Sequence, residues 1–322
     1  MPIVDMPLNE LKTYLGVNPR PIDFDAYWDR GLAEMEALGT ECELVKAPFQ
    51  MPGAQLYHMY YTGVHGARIH ALFARPDHHQ GKLPAVLQFH GYTGSFDNFY
   101  GLLGFVCAGF CVAAMDARGQ GGYSEDVGGV KGTTYCGHII RGLDDPDDDR
   151  LLFRDVFLDT AQLARIVMAM DDVDETRVGA MGGSQGGGLT LACAALTPGL
   201  NRAVTQYPFL SDYKRVWDMD LDIQAYAELK SYFRAYDPLH QREDQIFRKL
   251  GYIDVHHLSP RIRCRVLMLT GLLDNVCPPS TQFAAYNHIT SPKQVLIYPD
   301  FGHEGFTGSA DVFLRYMLEM LP

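Results

Sequence analysis

Apolar runs alternate with helix-like periodicity along most of this chain. Mostly apolar runs at 83–89 and 110–115 suit strands that are buried on both faces. Further strand-like runs lie at 56–61, 68–73, 177–180, 203–207, 263–270 and 294–298, and helical patterns at 99–108, 155–170, 189–196 and 311–320. Apolar strands that alternate with helices need cover on both faces of a sheet. The pattern therefore predicts an α/β fold with a doubly wound, mostly parallel sheet.

Three segments depart from this alternation. Residues 1–40 are polar and helical in pattern, and residues 119–152 are too long and too rich in Gly and Asp for a simple connection. Residues 211–260 are helical, aromatic and charged, with no strand signal. An insertion at that point would lie over the carboxyl ends of the strands, where a lid belongs. We expect residues 1–322 to form one domain with a helical lid insertion at 211–260.

Composition and charge exclude several classes of protein. The chain has 322 residues, of which 47% are hydrophobic, so it can bury a large core. Its formal net charge of -12 argues against binding to nucleic acid or to an anionic membrane, and no apolar run is long enough to span a bilayer. The seven scattered cysteines indicate reduced, mostly buried thiols. Together with an N-terminus that lacks a secretory pattern, they predict a cytoplasmic protein. Neither a metal site nor a cofactor is expected.

A Gly-x-Ser-x-Gly motif occupies 182–186 and centres on Ser184. An apolar strand-like run precedes it and an Ala-rich helical stretch follows, which is the context of a nucleophile elbow. The glycines fill positions where side chains would clash in so sharp a turn. We predict that Ser184 is a nucleophile. The alternative is a Gly-rich turn whose serine only caps a helix.

A serine nucleophile needs a base and a group that orients the base. In doubly wound hydrolases the chain order is Ser, Asp or Glu, then His. Asp274 follows one late strand and His303 follows the next, so all three loops should open on one edge of the sheet. Asp300 is a rival acid only three residues from the base, and His288 is a rival histidine within a helical pattern.

An oxyanion hole requires two backbone N–H groups aimed at the tetrahedral oxygen. One should come from Gln185, which follows the nucleophile, and the other from the loop after the strand at 83–89. Tyr92 is the expected donor in that loop, and its phenol could also line the acyl pocket. The alternative is an ordinary Gly-rich turn with a packed tyrosine.

These motifs resemble carbohydrate esterase family 7, the acetyl xylan esterases and cephalosporin C deacetylases. The family pattern appears as Arg118-Gly119-Gln120, the Ser184 pentapeptide at 182–186 and His303-Glu304, with similar stretches at 137–142 and 207–210. The resemblance implies an α/β-hydrolase fold and a metal-independent serine esterase that deacetylates small sugars such as xylo-oligosaccharides, and cephalosporin C as a further substrate. It assigns Ser184, Asp274 and His303 as the triad and the Tyr92 and Gln185 amides as oxyanion donors.

The resemblance also implies a homohexamer whose active sites face an inner cavity, with 119–152 as the interface extension. Around the triad we expect Arg118, Gln120 and Glu304 to support the active residues. We predict an ion pair between Arg118 and Glu304, against the alternative of two unrelated surface charges. Two other functions stay open: another acyl hydrolase or a peptidase on the same fold, and a non-catalytic binding protein built on a hydrolase scaffold.

Overall fold

A nine-stranded sheet forms the centre of the computed structural model, which describes residues 4–127, 136–221 and 223–321. The strands are β1 (Cys42–Lys46), β2 (Ala54–Thr62), β3 (Arg68–Pro76), β4 (Leu83–Phe89), β5 (Cys111–Met115), β6 (Val173–Gly183), β7 (Arg202–Gln206), β8 (Arg265–Gly271) and β9 (Lys293–Tyr298). Their order is β1-β2-β3-β5-β4-β6-β7-β8-β9. The first three strands are antiparallel to their neighbours, and β4 to β9 run parallel. The sheet is therefore mostly parallel, as predicted.

Helices cover both faces of the sheet. The described helices are α1 (Leu8–Leu11), α2 (Phe24–Glu36), α3 (Leu103–Cys107), α4 (Leu152–Met168), α5 (Gln185–Leu196), α6 (Tyr213–Asp218), α7 (Ala227–Tyr236), α8 (Glu243–Leu250), α9 (Val255–Leu258), α10 (Pro279–His288) and α11 (Ser309–Leu318). None of them is both long enough and apolar enough to cross a membrane.

The strand side chains alternate between two separate cores. Along β5, Ala113 and Met115 belong to the larger core, which α2, α4 and α5 cover, whereas Val112 and Ala114 belong to the smaller core beneath α3 and α11. This period of two is inherent to a pleated strand. Because both faces are buried, the central strands read as continuous apolar runs in the sequence.

The strand order reverses at β4, which lies between β5 and β6. In β4 and β6, Phe89 is in register with Gly182, so the loops that follow these two strands leave the sheet side by side. Such a reversal opens a crevice at the carboxyl ends of the strands, where open α/β sheets bind ligands. The loops after β7, β8 and β9 lie along the same edge because those strands are also parallel.

Several predicted elements differ from the structure in extent. Strand β1 was not predicted: it lies at the sheet edge, its burial pattern is intermediate to exposed, and it has no apolar run to mark it. Within the described residues 4–40, the N-terminal region is α-helical only at α1 and α2. The predicted helix at 99–108 is shorter, since a 3-10 turn at Tyr100–Leu102 precedes α3. Of the extension at 119–152, residues 128–135 lie outside the described part. The segment at 211–260 is helical, as predicted, and includes α6 to α9.

Candidate active site

Ser184 occupies a strained turn between β6 and α5. Its backbone lies at φ 56° and ψ -122°, a conformation that costs a residue with a side chain on the order of 1–3 kcal/mol. A Cβ at Gly182 would come within 2.4 Å of the Gly186 carbonyl oxygen, and one at Gly186 within 2.0 Å of the Phe89 carbonyl oxygen. The tight turn therefore requires both glycines of the motif, and this geometry is that of a nucleophile elbow.

The structure brings the three predicted triad residues together. His303 Nε2 lies 2.9 Å from Ser184 Oγ, and His303 Nδ1 lies 2.9 Å from Asp274 Oδ2. An ionised carboxylate only accepts hydrogen bonds, so Nδ1 carries the proton and Nε2 is free to accept the serine hydroxyl. The arrangement can therefore remove the proton from Ser184 as its oxygen attacks a carbonyl carbon.

Asp274 is fully buried and is held from several directions. Its Oδ1 accepts the backbone N–H groups of Val276 at 2.9 Å and Cys277 at 2.8 Å. Its Oδ2 accepts a further hydrogen bond from Gln282 Nε2, at 3.3 Å, beside that from His303. These donors stabilise the ionised carboxylate and fix its orientation toward the imidazole.

The two rival residues lie elsewhere. Asp300 is exposed to solvent, although it is close to His303 in sequence. His288 directs its Nδ1 to the Ala284 carbonyl oxygen within α10. The contact of His303 with Asp274 therefore selects Asp274 over Asp300 as the acid that orients the base.

Tyr92 and Gln185 lie on neighbouring elements at the β4–β6 crevice. Tyr92 is in the loop after β4, and Gln185 is the first residue of α5, so its backbone N–H has no carbonyl partner within the helix. The Gln185 side chain reaches across to that loop, where Nε2 lies 3.4 Å from the His90 carbonyl oxygen and 3.5 Å from that of Gly91. The two candidate oxyanion donors therefore belong to one connected unit.

Gln120 supports the same unit from below. Its Oε1 accepts the Thr93 backbone N–H at 2.9 Å, and its side chain pairs with that of Gln185. Thr93 has φ 59°, which is unfavourable for a β-branched residue, so this loop needs such support to keep its shape. Gln120 thus lies where the motif suggested, next to the residues that carry the two candidate oxyanion donors.

The predicted ion pair between Arg118 and Glu304 is wrong. Arg118 is fully buried, and its guanidinium donates to Asp159 at 2.6 and 2.7 Å and to Asp155 at 3.2 Å. Glu304 is exposed, and its Oε1 accepts the Gly302 backbone N–H at 3.2 Å. The reason is topological: Arg118 follows β5 and its side chain contacts α4, the helix that contains both Asp155 and Asp159.

Two residues near the site were not singled out as functional from the sequence. The Tyr207 ring lies 4.5 Å from the His303 ring, centroid to centroid, and forms an aromatic wall beside the base. Glu228, in the first turn of α7, accepts a hydrogen bond from the Tyr92 hydroxyl. Tyr207 directly follows β7, and that position was a usable signal. Glu228 is one of many acidic residues in a charged segment, so nothing in the sequence marked it as functional.

One group of described residues combines potential metal ligands outside this site. Asp254, His256 and His257 are buried with their ligand atoms close together. Asp254 Oδ1 already pairs with His256 Nδ1 at 2.7 Å, and His257 Nε2 lies 3.1 Å from the Asn18 carbonyl oxygen. These contacts describe an internal acid–base cluster that holds the N-terminal segment.

Comparison with known proteins places this geometry in a family. The acetyl xylan esterase family model matches residues 1–319. The crystal structure of acetyl xylan esterase 1 from Thermoanaerobacterium sp. JW/SL YS485 is 57% identical, covers 99% of this chain and 100% of its own, and superimposes with a TM-score of 0.95. An acetyl xylan esterase from Paenibacillus sp. R4 is 34% identical over 97% of this chain and 99% of its own, with a TM-score of 0.90.

A curated relative is more distant. The acetyl esterase Axe7A of Xylanibacter ruminicola is 28% identical over 292 residues, which is 87% of this chain. The chain spans 62% of the length of that relative. The two solved esterase structures match 99% and 97% of this chain, and the predicted fold class and family are confirmed. The elbow geometry agrees with these matches, and so do the motifs around Ser184, Arg118 and His303. The chain therefore belongs to the acetyl xylan esterase family of α/β hydrolases.

Proposed function

We propose that this chain is a serine esterase that removes acetyl groups from small acetylated carbohydrates through an acetyl-serine intermediate. The observation that carries the proposal is the continuous contact from Asp274 through His303 to Ser184 Oγ. At the carboxyl edge of the sheet, the same region carries the two candidate oxyanion donors, the backbone amides of Gln185, which follows Ser184, and of Tyr92 in the loop after β4. A nucleophile, a base with its orienting acid, and donors for an oxyanion are the parts that acyl transfer needs.

The reaction follows from these positions. Ser184 Oγ attacks the acetyl carbonyl carbon while its proton passes to His303 Nε2, and the Tyr92 and Gln185 amides stabilise the oxyanion. The bond to the sugar oxygen then breaks, and His303 returns the proton to that leaving oxygen. A water molecule, deprotonated by the same imidazole, attacks the acetyl-serine. Acetate leaves, and the proton returns to Ser184.

Two features support acetylated sugars as the substrate class. The most similar of the relatives described are named acetyl xylan esterases. The partly exposed Tyr207 ring lies 4.5 Å from the His303 ring, and the buried Phe306 holds it edge to face at 5.2 Å, so Tyr207 places one aromatic ring beside His303 against which the apolar face of a sugar can pack. We propose acetylated xylo-oligosaccharides as substrates and cephalosporin C as a further one, since its acetyl ester needs the same chemistry.

A substrate panel tests this proposal. Acetylated xylo-oligosaccharides, cephalosporin C, longer acyl esters and a peptide anilide should be compared by kcat/KM. The triad itself does not select the substrate, so the surrounding pocket must do so, and the panel reports its preference. We expect acetyl esters to be preferred. A preference for the anilide or for long acyl chains would favour the other acyl hydrolases or the peptidases. Inactivity on every ester would favour a binding protein.

We also propose that the chain acts as a homohexamer in the cytoplasm. Family membership supports the assembly, and so do large exposed apolar side chains such as Ile22, Tyr100 and Leu239. The free cysteines, of which four are buried, suit a reducing compartment. Light scattering measures the mass in solution. A strict monomer that deacetylates polymeric xylan as readily as oligomers would contradict sites that face a closed cavity.

A further inference from the structure

The Glu228 carboxylate joins three parts of the chain next to the active site. It lies in the first turn of α7, and its side chain is buried. Its Oε1 accepts the Tyr92 hydroxyl. Its Oε2 accepts the backbone N–H groups of Ile139 at 2.8 Å and Ile140 at 3.1 Å. One carboxylate therefore joins the helical segment at 211–260, the extension at 119–152 and the loop after β4.

Tyr92 is held at this point from every side. Its phenol oxygen accepts the His138 backbone N–H at 3.3 Å while the hydroxyl donates to Glu228. Its ring packs edge to face against His138, at 5.1 Å between centroids, and against Phe209, at 5.5 Å. The phenol thus has a fixed position, and the backbone of the same residue carries the amide that we assign to the oxyanion hole.

The loop that contains this amide has a turn of its own, in which the Gly94 N–H donates to the Gly91 carbonyl oxygen at 3.0 Å, but the residues around Tyr92 are also held from outside the loop. Thr93, the next residue, is in the left-handed region at φ 59°. Gln120 fixes the loop on the far side of the amide, through the Thr93 N–H, and the Tyr92 phenol fixes it on the near side. Loss of either attachment lets the loop relax toward ordinary backbone angles, and an oxyanion donor works only if it is in place before the reaction.

A carboxylate suits this position better than any neutral side chain. It offers acceptor sites on both oxygens, and here one oxygen takes a hydroxyl and the other takes two amides. A glutamine of the same size has one acceptor oxygen, so its NH2 group must face either the phenol or the two backbone N–H groups. The Glu228→Gln variant therefore conserves volume while it breaks part of the attachment.

We infer that Glu228 is a positioning residue for the oxyanion hole, which acts through the Tyr92 phenol and makes the helical segment and the extension part of the catalytic apparatus. This inference rests on the proposed esterase function. A positioning role differs from a general structural role in what it affects. If Glu228 acts through the oxyanion hole, its loss weakens stabilisation of the transition state and leaves substrate binding unchanged.

The test uses the full-length protein with Glu228→Gln, Tyr92→Phe and the double variant. Glu243→Gln is the matched control, since Glu243 also lies in the first turn of a helix of the same segment, α8. For each protein, kcat and KM are measured with 4-nitrophenyl acetate. The inhibition constant is measured for methylboronic acid, whose tetrahedral adduct with Ser184 places an oxygen in the oxyanion hole. Circular dichroism reports the fold.

We expect Glu228→Gln and Tyr92→Phe each to lower kcat about tenfold or more, with KM nearly unchanged and methylboronic acid bound more weakly by a similar factor. The double variant should be no worse than the more damaging single variant, because both changes break one attachment. A folded Glu228→Gln protein with unchanged kcat and unchanged inhibition would overturn the inference, as would an effect on KM or on thermal stability alone. In both cases the wild type would still be an esterase. An inactive wild type would instead overturn the proposed function together with the inference.

Discussion

Gln120 and Gln185 pair their side-chain amides in a fully buried site next to the loop after β4. Gln120 Nε2 donates to Gln185 Oε1 at 2.7 Å, and Gln185 Nε2 donates to Gln120 Oε1 at 3.0 Å. One residue belongs to the chain after β5 and the other to α5. The pair therefore ties the segment after β5 to the elbow through two polar groups that have no access to water.

Gln120→Met should lower kcat by about tenfold to a hundredfold. The substitution keeps the volume but leaves the Thr93 N–H without its acceptor and the Gln185 amide without its shortest hydrogen bonds, so the loop can shift. Steady-state kinetics with 4-nitrophenyl acetate measures the effect. Gln245→Met, on the exposed side of α8, is the control and should keep the wild-type kcat. Equal activity of the two variants would remove Gln120 from the supporting residues.

Ser184→Ala should lower kcat by several orders of magnitude and leave the fold intact, because it removes only the nucleophilic oxygen. A fluorophosphonate should label the wild-type chain at one serine, which mass spectrometry of peptides can locate. Ser231→Ala, on the exposed face of α7, should label normally. A label on any serine other than Ser184 would refute the assignment.

Asp274→Asn should lower kcat by about a thousandfold or more, because the amide no longer holds His303 in the tautomer that leaves Nε2 free. Asp300→Asn is a close control, since Asp300 lies three residues from the base but is exposed. The fold of both variants can be checked by circular dichroism. If Asp300→Asn were the more damaging change, the roles of the two acids would have to be exchanged.

Arg118→Met should lower the free energy of unfolding by about 3–5 kcal/mol, because it leaves the fully buried Asp159 carboxylate without its cation. Adding Asp159→Leu should restore part of that loss, since an apolar pair can replace a buried ion pair. Urea unfolding of both single variants and of the double variant measures this. A double variant with strictly additive losses would indicate that the two residues are not coupled.

His256→Gln should destabilise the protein more at about pH 6 than at about pH 9. Burial acts to lower the pKa of His256, but the charge and the hydrogen bond of Asp254, together with the charge of Asp212, outweigh burial and raise this pKa above 6.5. A raised pKa in the folded state means that the stabilisation is complete below the unfolded pKa and is lost as pH rises through the folded one. The expected cost at the lower pH is about 3 kcal/mol.

The neighbouring His257 contributes with the opposite sign, so the comparison must be between variant and wild type at each pH. Burial, with the charge of His256, lowers the pKa of His257 to about 3. His257 therefore stays neutral in the folded protein and opposes folding as pH falls below the ordinary histidine value. Urea midpoints for wild type and His256→Gln at both pH values give the answer. A loss that is larger at the higher pH would contradict the charged pair.

Much of the architecture could be predicted because the central strands are buried on both faces. The runs at 83–89 and 110–115 are apolar throughout, and the structure contains β4 at Leu83–Phe89 and β5 at Cys111–Met115. Strand β1 escaped prediction since an edge strand with exposed side chains has no such run. Family membership followed from three short motifs in order. Each of these motifs lies at or near the carboxyl edge of the sheet, where short loops hold the candidate catalytic residues, so a short stretch of sequence identifies them.

The supporting contacts could not be predicted in the same way. Gln120 and Gln185 are 65 residues apart and Tyr92 and Glu228 are 136 apart, so only the folded chain shows that they touch. Arg118 shows the risk of pairing charges by motif alone. Because Arg118 and Glu304 each belong to a family motif, a pair between them was predicted, but in the structure Arg118 contacts Asp159 on α4. Long-range pairing of polar groups depends on the path of the backbone, which residue type does not reveal.

The in-register pairing of Phe89 with Gly182 has a consequence for how the enzyme should fail when heated. The elbow follows β6 and the loop with Tyr92 follows β4, and these two central strands are paired. The two backbones can therefore separate only when the central sheet unfolds. Amide hydrogens there should exchange with solvent only through global unfolding. His303 lies beyond the last strand, in a loop that is partly exposed. Local opening of that peripheral loop costs far less than melting the sheet. Reversible loss of turnover can therefore precede unfolding, while the intact centre retains the geometry needed for activity to return on cooling.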